Sequence, residues 1–145
     1  MKPSTKTLLM LAATGLLASC TKKEVATTVH GYFYTPDSTV WSENPLHLYL
    51  DGVDKGSLPY ISGSDWNMPL TFSSAALESK ALKVDFPSGN HIVEARTTSG
   101  KTVASSNMSI LFYKNEVKSS STSTIGGAGY YLDDNQKKMS LSLHP

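Results

Sequence analysis

The chain has 145 residues, of which 39% are hydrophobic, with 13 basic and 12 acidic side chains and a formal charge of +1. That length suits one domain with a real core, and a nearly neutral chain is expected to be a poor partner for nucleic acid and a poor peripheral binder of anionic lipid. One cysteine leaves no partner for an intramolecular disulfide and rules out a thiolate metal cluster.

At the N-terminus, Lys2 and Lys6 precede an uncharged run from Leu8 to Ala18. The run suits the apolar region of an export signal and is too short for a membrane span, which takes about 20 apolar residues. It ends in Leu17-Ala18-Ser19-Cys20, which resembles the lipobox of bacterial lipoproteins: an aliphatic residue, two small residues, then cysteine. The resemblance implies that residues 1–19 are a signal peptide and that Cys20 is the lipidation site. A thiol is needed to take the diacylglyceryl group, and small side chains let the strand enter the peptidase cleft. At roughly 0.8 kcal/mol per buried CH₂, two or three acyl chains anchor a protein durably. Cleavage removes two lysines and no acid, so the mature charge is −1. Thr21 after the cysteine resembles outer-membrane sorting, so the expected location is the bacterial cell envelope, lipid-anchored in the outer membrane.

Residues 20–28 are then expected to be the lipidated cysteine and a polar tether, with a domain over 29–145. Tyr32-Phe33-Tyr34 is β-prone and ends at Pro36-Asp37-Ser38, which has turn chemistry. Leu46, Leu48 and Leu50 alternate with His47, Tyr49 and Asp51, the period of a half-buried strand. Residues Asp51 to Gly56 read as a hairpin connection, with a return strand from Ser57. Residues 73–82 can make about two turns of helix. Leu82, Val84 and Phe86 alternate before a turn at Pro87-Ser88-Gly89-Asn90. The next strand, His91–Thr98, sets Val93 and Ala95 on one face and Glu94 and Arg96 on the other. A turn at Ser99-Gly100-Lys101 leads to Thr102–Tyr113, with Met108, Ile110 and Phe112 inward. Residues 118–129, a Ser/Thr run followed by Gly126-Gly127-Ala128-Gly129, read as a flexible loop. Met139, Leu141 and Leu143 mark a last strand. Turns every 8–12 residues predict an all-β, antiparallel β-sandwich of immunoglobulin-like type.

Leu48-Tyr49-Leu50-Asp51-Gly52, Gly56-Ser57-Leu58-Pro59 and Pro87-Ser88-Gly89-Asn90-His91 together resemble a PEGA-type surface module over residues 46–100. The chain departs from that pattern in a longer middle segment, 61–81. The resemblance implies a small β-sandwich used for display or binding, with no catalysis.

Candidate sites are sparse. His30, His47, His91 and His144 show no metal-ligand spacing; His91 is expected to be a packed or hydrogen-bonded turn residue. Asp51, Asp54 and Asp65 do not follow a calcium-loop pattern, and Asp133-Asp134-Asn135 reads as a solvated turn. Ser62-Gly63-Ser64-Asp65 lacks the elbow that exposes a nucleophile. No catalytic residue, metal site or cofactor is therefore expected. Trp41, Trp66 and Tyr60 are the candidates for stacking on a ligand such as a sugar ring, against the alternative that they cap the sandwich. The expected function is a non-catalytic envelope lipoprotein, structural or protein-binding, with carbohydrate binding as the alternative. Its expected partners are the membrane, through the lipid, and an envelope protein or glycan.

Overall fold

The computed structural model describes residues 21–38, 45–63 and 69–145. Its elements in chain order are β1 (Thr28–Tyr34), β2 (Leu46–Leu50), β3 (Val53–Ser57), α1 (Ala75–Lys80), β4 (Leu82–Pro87), β5 (Gly89–Thr97), β6 (Thr102–Phe112), β7 (Val117–Ile125), β8 (Gly127–Asp133) and β9 (Lys138–His144). They form a β-sandwich of a four-stranded sheet, ordered β4-β1-β9-β8, and a five-stranded sheet, ordered β3-β2-β5-β6-β7.

The inward residues follow the alternation of the sequence. Leu46, Leu48 and Leu50 on β2, Val93 and Ala95 on β5, and Met108, Ile110 and Phe112 on β6 meet Val29, Phe33, Phe86, Met139, Leu141 and Leu143 from the other sheet. Each such side chain, fully buried, contributes about 1.5–3 kcal/mol relative to an exposed one. Gly31 on β1 makes room for two rings, because a Cβ there would lie 2.4 Å from Phe33 Cε2 and 2.8 Å from Phe86 Cε1.

Three expectations need correction. The sandwich is not wholly antiparallel, since β1 and β9 pair in parallel from His30↔Lys138 to Tyr34↔Ser142. The 51–56 connection is shorter than expected. Asp51 and Gly52, both at positive φ (51° and 81°), make a two-residue turn whose twist suits a hairpin, and Val53 already belongs to β3. The expected turn at Pro87-Ser88-Gly89 carries the chain from the four-stranded to the five-stranded sheet.

The third correction concerns residues 118–129, which form most of β7 and the start of β8 rather than a flexible loop. An edge strand need not be apolar, because one of its faces is open to water and its backbone is satisfied by a neighbour. Here β7 pairs with β6 from Ser105↔Ile125 to Phe112↔Val117, and Ser106 and Ser121 share a hydroxyl hydrogen bond of 2.7 Å. Gly126, at φ 61°, turns the chain into the opposite sheet.

The tether is also ordered against the domain from Lys22 onward. Lys22 forms an ion pair with Glu116, Glu24 bridges to Tyr113, and the Val25 amide donates to the Phe112 carbonyl at 2.7 Å. Thr28 is the first residue of β1.

The long middle segment has a structural use. Leu77 of α1, with Leu70, Phe72, Ala76 and Ala81, packs on Tyr32, Tyr34 and Ile61, covering the outer face of the four-stranded sheet. Ser74 caps α1 by accepting from the Leu77 amide. The Leu70 amide donates to Tyr34 Oη at 2.8 Å, and Ser140 Oγ donates to the Leu70 carbonyl at 2.6 Å. Lys138 pairs with Glu78 at 3.1 Å and lies over the rings of Tyr32 and Phe72.

Candidate functional site

With one outer face covered by the chain itself, the outer face of the five-stranded sheet is left open by the described residues. The alternation of β5 and β6 selects its residues. Asn90, Ile92, Glu94 and Arg96 project outward between the inward His91, Val93, Ala95 and Thr97.

The register arranges them in rows across the strands. One row is Asn90, Ser109 and Ser120; the next is Ile92, Asn107 and Thr122. Neighbouring side chains in a row stand about 5 Å apart. These six residues line a cleft of about 480 Å³ that also reaches Asp51, His91 and Met108. The two rows are neutral, with amides and hydroxyls as their hydrogen-bonding groups, and the Asp51 carboxylate stands at the edge of the cleft. Ile92, 50% exposed, supplies an apolar contact at its centre.

Toward β2 and β3 the same face becomes ionic. The Arg96 guanidinium sits 4.2 Å from the centroid of the Tyr49 ring and forms an ion pair with Glu94. His47 Nδ1 lies 3.0 Å from Asp54 Oδ2. The Gly56 amide donates to Asp54, and this bond, with those from His47 and Tyr49, overcomes desolvation and holds the Asp54 carboxyl below its ordinary range. The charges here are committed to one another. The neutral half is therefore the part with hydrogen-bonding side chains available to a ligand.

Of the residues singled out from sequence, Cys20, Trp41 and Trp66 lie outside the described residues. Tyr60 is half-buried, in a parallel bridge with Thr35, and is not among the residues lining the cleft. His91 is 9% exposed and hydrogen-bonded at both ring nitrogens, which makes it a packed residue of the 87–91 crossing. Among the described residues, no group of three or more His, Cys, Asp or Glu is placed to hold a metal ion, and no helix is long and apolar enough to cross a membrane. Asn90, Ile92, Asn107, Ser109, Ser120 and Thr122 were not singled out as a site. Ile92 carried a usable signal, an apolar residue at an outward position of an alternating strand. Comparison with protein-family models, with curated proteins and with solved structures gives no match.

Proposed function

We propose that the protein is a non-catalytic lipoprotein of the bacterial envelope, anchored through Cys20, that binds another envelope component with the open face of its five-stranded sheet. The observation that carries this reading is the asymmetry of the sandwich. Residues 69–81 cover one outer face, while the other exposes a cleft around Ile92 lined mainly by amides and hydroxyls. Anchoring rests on the lipobox at 17–20 and on the exposure of residues 21–26 that follow it. The tight hairpin over β2 and β3 with β5 beside it supports the PEGA-type reading of residues 46–100. Outer-membrane location is proposed on Thr21 alone.

The test combines two measurements on the membrane-extracted protein. Intact mass reads acylation of the mature N-terminus, and a photo-crosslinker at position 92 or 107, used in intact cells, captures the partner. Capture from position 92, with none from position 79 on the covered side, is the expected result. Equal capture from both positions would remove the open face as the site.

Carbohydrate binding is the second reading, favoured by the neutral amide and hydroxyl lining of the cleft. In that reading Asn90, Asn107, Ser109, Ser120 and Thr122 bond sugar hydroxyls, with Trp41 or Trp66 stacking on a ring. A glycan array separates the two readings. Binding weakened by both Asn107→Ala and a tryptophan substitution supports sugar, and an array without signal eliminates it.

A further inference from the structure

We infer that the corner of the sandwich beside residue 20, built from Lys22, Lys23, Tyr113, Lys114 and Lys118, seats directly on an anionic phospholipid surface. This inference rests on the proposed lipidation of Cys20. The lysines come from two distant parts of the chain. Lys22 and Lys23 belong to the segment before β1, Lys114 lies in the β6–β7 turn and Lys118 is at the start of β7.

Three contacts join them. Lys22 pairs with Glu116, Glu24 bridges to Tyr113, and the Val25 amide donates to the Phe112 carbonyl. Lys22, Lys23, Tyr113, Lys114, Asn115 and Glu116 together line a cleft of about 350 Å³, roomy enough for a phospholipid phosphate. An acyl group carried at position 20 is two residues, at most about 7 Å of chain, from Lys22. A docked segment of that kind cannot hold the domain far from the bilayer, so this corner meets the headgroups.

The charges fit that surface. Against the four lysines stand Glu24 and Glu116, and Glu116 is already neutralised by Lys22 and lies 3.9 Å from Lys118. Lysines next to an anionic leaflet attract it within a Debye length. Tyr113, with Lys118 Nζ 5.6 Å from its ring centroid, presents the amphipathic ring that favours a membrane interface. The basic patch is local, because the end of β8 and the β8–β9 turn carry Asp133 and Asp134 beside Lys137. The domain therefore leans on its five-stranded side.

The test uses the mature lipoprotein reconstituted into vesicles of phosphatidylcholine, with or without phosphatidylglycerol. A fluorophore is placed at Asn115→Cys or, at the opposite end, at Ser99→Cys, and read with nitroxide-headgroup lipids as quenchers. Quenching at 115 should exceed that at 99. The excess should grow with phosphatidylglycerol and fall in about 1 M salt, where the Debye length is about 3 Å. Lys23→Glu with Lys114→Glu, which leaves the Lys22–Glu116 pair in place, should remove the dependence on phosphatidylglycerol. Acylated protein with equal quenching at both sites, or with no response to phosphatidylglycerol, overturns the inference and leaves the anchor standing. Protein without acyl mass overturns the anchor itself.

Discussion

His91 Nδ1 lies 2.6 Å from Asp51 Oδ2, so the start of β5 is tied to the turn between β2 and β3. The same carboxylate accepts the Ile92 amide at 2.8 Å, and the Asp51 amide donates to the Ile92 carbonyl. On its other side His91 Nε2 lies 2.7 Å from the Pro87 carbonyl, and its ring meets Phe86 edge-on at 5.1 Å. Both ring nitrogens thus face oxygen atoms. Replacing His91 with leucine should cost about 1–3 kcal/mol, since it removes hydrogen bonds to the Asp51 carboxylate and the Pro87 carbonyl. Urea denaturation of the variant and the parent measures it.

The Asp51 carboxylate gives that junction a pH dependence. Burial pushes its pKa up, but hydrogen bonds from His91 and the Ile92 amide, with the charges of His91 and Lys55, outweigh this and leave it below 3.8. A carboxylate whose pKa is depressed by folding adds stability above its unfolded pKa and loses it as pH falls through the folded value. The melting temperature should therefore hold near neutrality and decline below about pH 4. Asp51→Asn should lower it at pH 7 and soften the acid decline. A variant whose acid decline matches the parent's would show that this carboxylate is not responsible.

Gly126 should tolerate no side chain. A Cβ there would lie 2.3 Å from the His144 carbonyl oxygen and 3.1 Å from that of Val103, at a φ of 61°. Because the obstacles are backbone, relaxation must move β9 or β6. Gly126→Ala is expected to destabilise by about 2 kcal/mol or more. Gly100→Ala, strained by its φ of 89° but with open space around it, should cost less in the same thermal melts.

The cover over the four-stranded sheet should behave as a separable layer. Leu77 is fully buried beneath it, and Leu77→Ala should cost about 2–4 kcal/mol through loss of packing and the cavity left behind. Hydrogen exchange should quicken first in residues 69–81. Uniform quickening across both sheets would argue that the cover is part of one cooperative unit.

Substitutions on the open face should dissociate binding from stability. Asn107→Ala and Thr122→Ala replace outward side chains in the cleft and should change stability by no more than about 0.5 kcal/mol. Ile92→Lys adds a charge to an apolar contact and should lower partner crosslinking without unfolding the domain. Circular dichroism and crosslinking yield, measured on the same preparations, check both halves of this expectation.

Local periodicity was enough to place the central strands. Leu46, Leu48 and Leu50, then Val93 and Ala95, then Met108, Ile110 and Phe112 alternate with polar residues, and burial of one face imposes that alternation wherever the strand lies. The helix over residues 75–80 and the turn at 99–101 were legible for the same reason, since caps and turns are set by residues a few positions apart. Pairing partners leave no such trace. Nothing in β1 or β9 alone announces that they run parallel, and the Ser/Thr run of β7 has no apolar stripe because as an edge strand it takes its order from β6. The cleft around Ile92, the cover over Tyr32 and Tyr34, and the lysine corner at 22–23 and 114–118 each join segments far apart in the chain. Their side chains become neighbours only when backbone hydrogen bonding fixes the register of the sheets. Sequence by itself determined which residues turn inward and where the chain bends. Tertiary structure decided which outward residues share a surface.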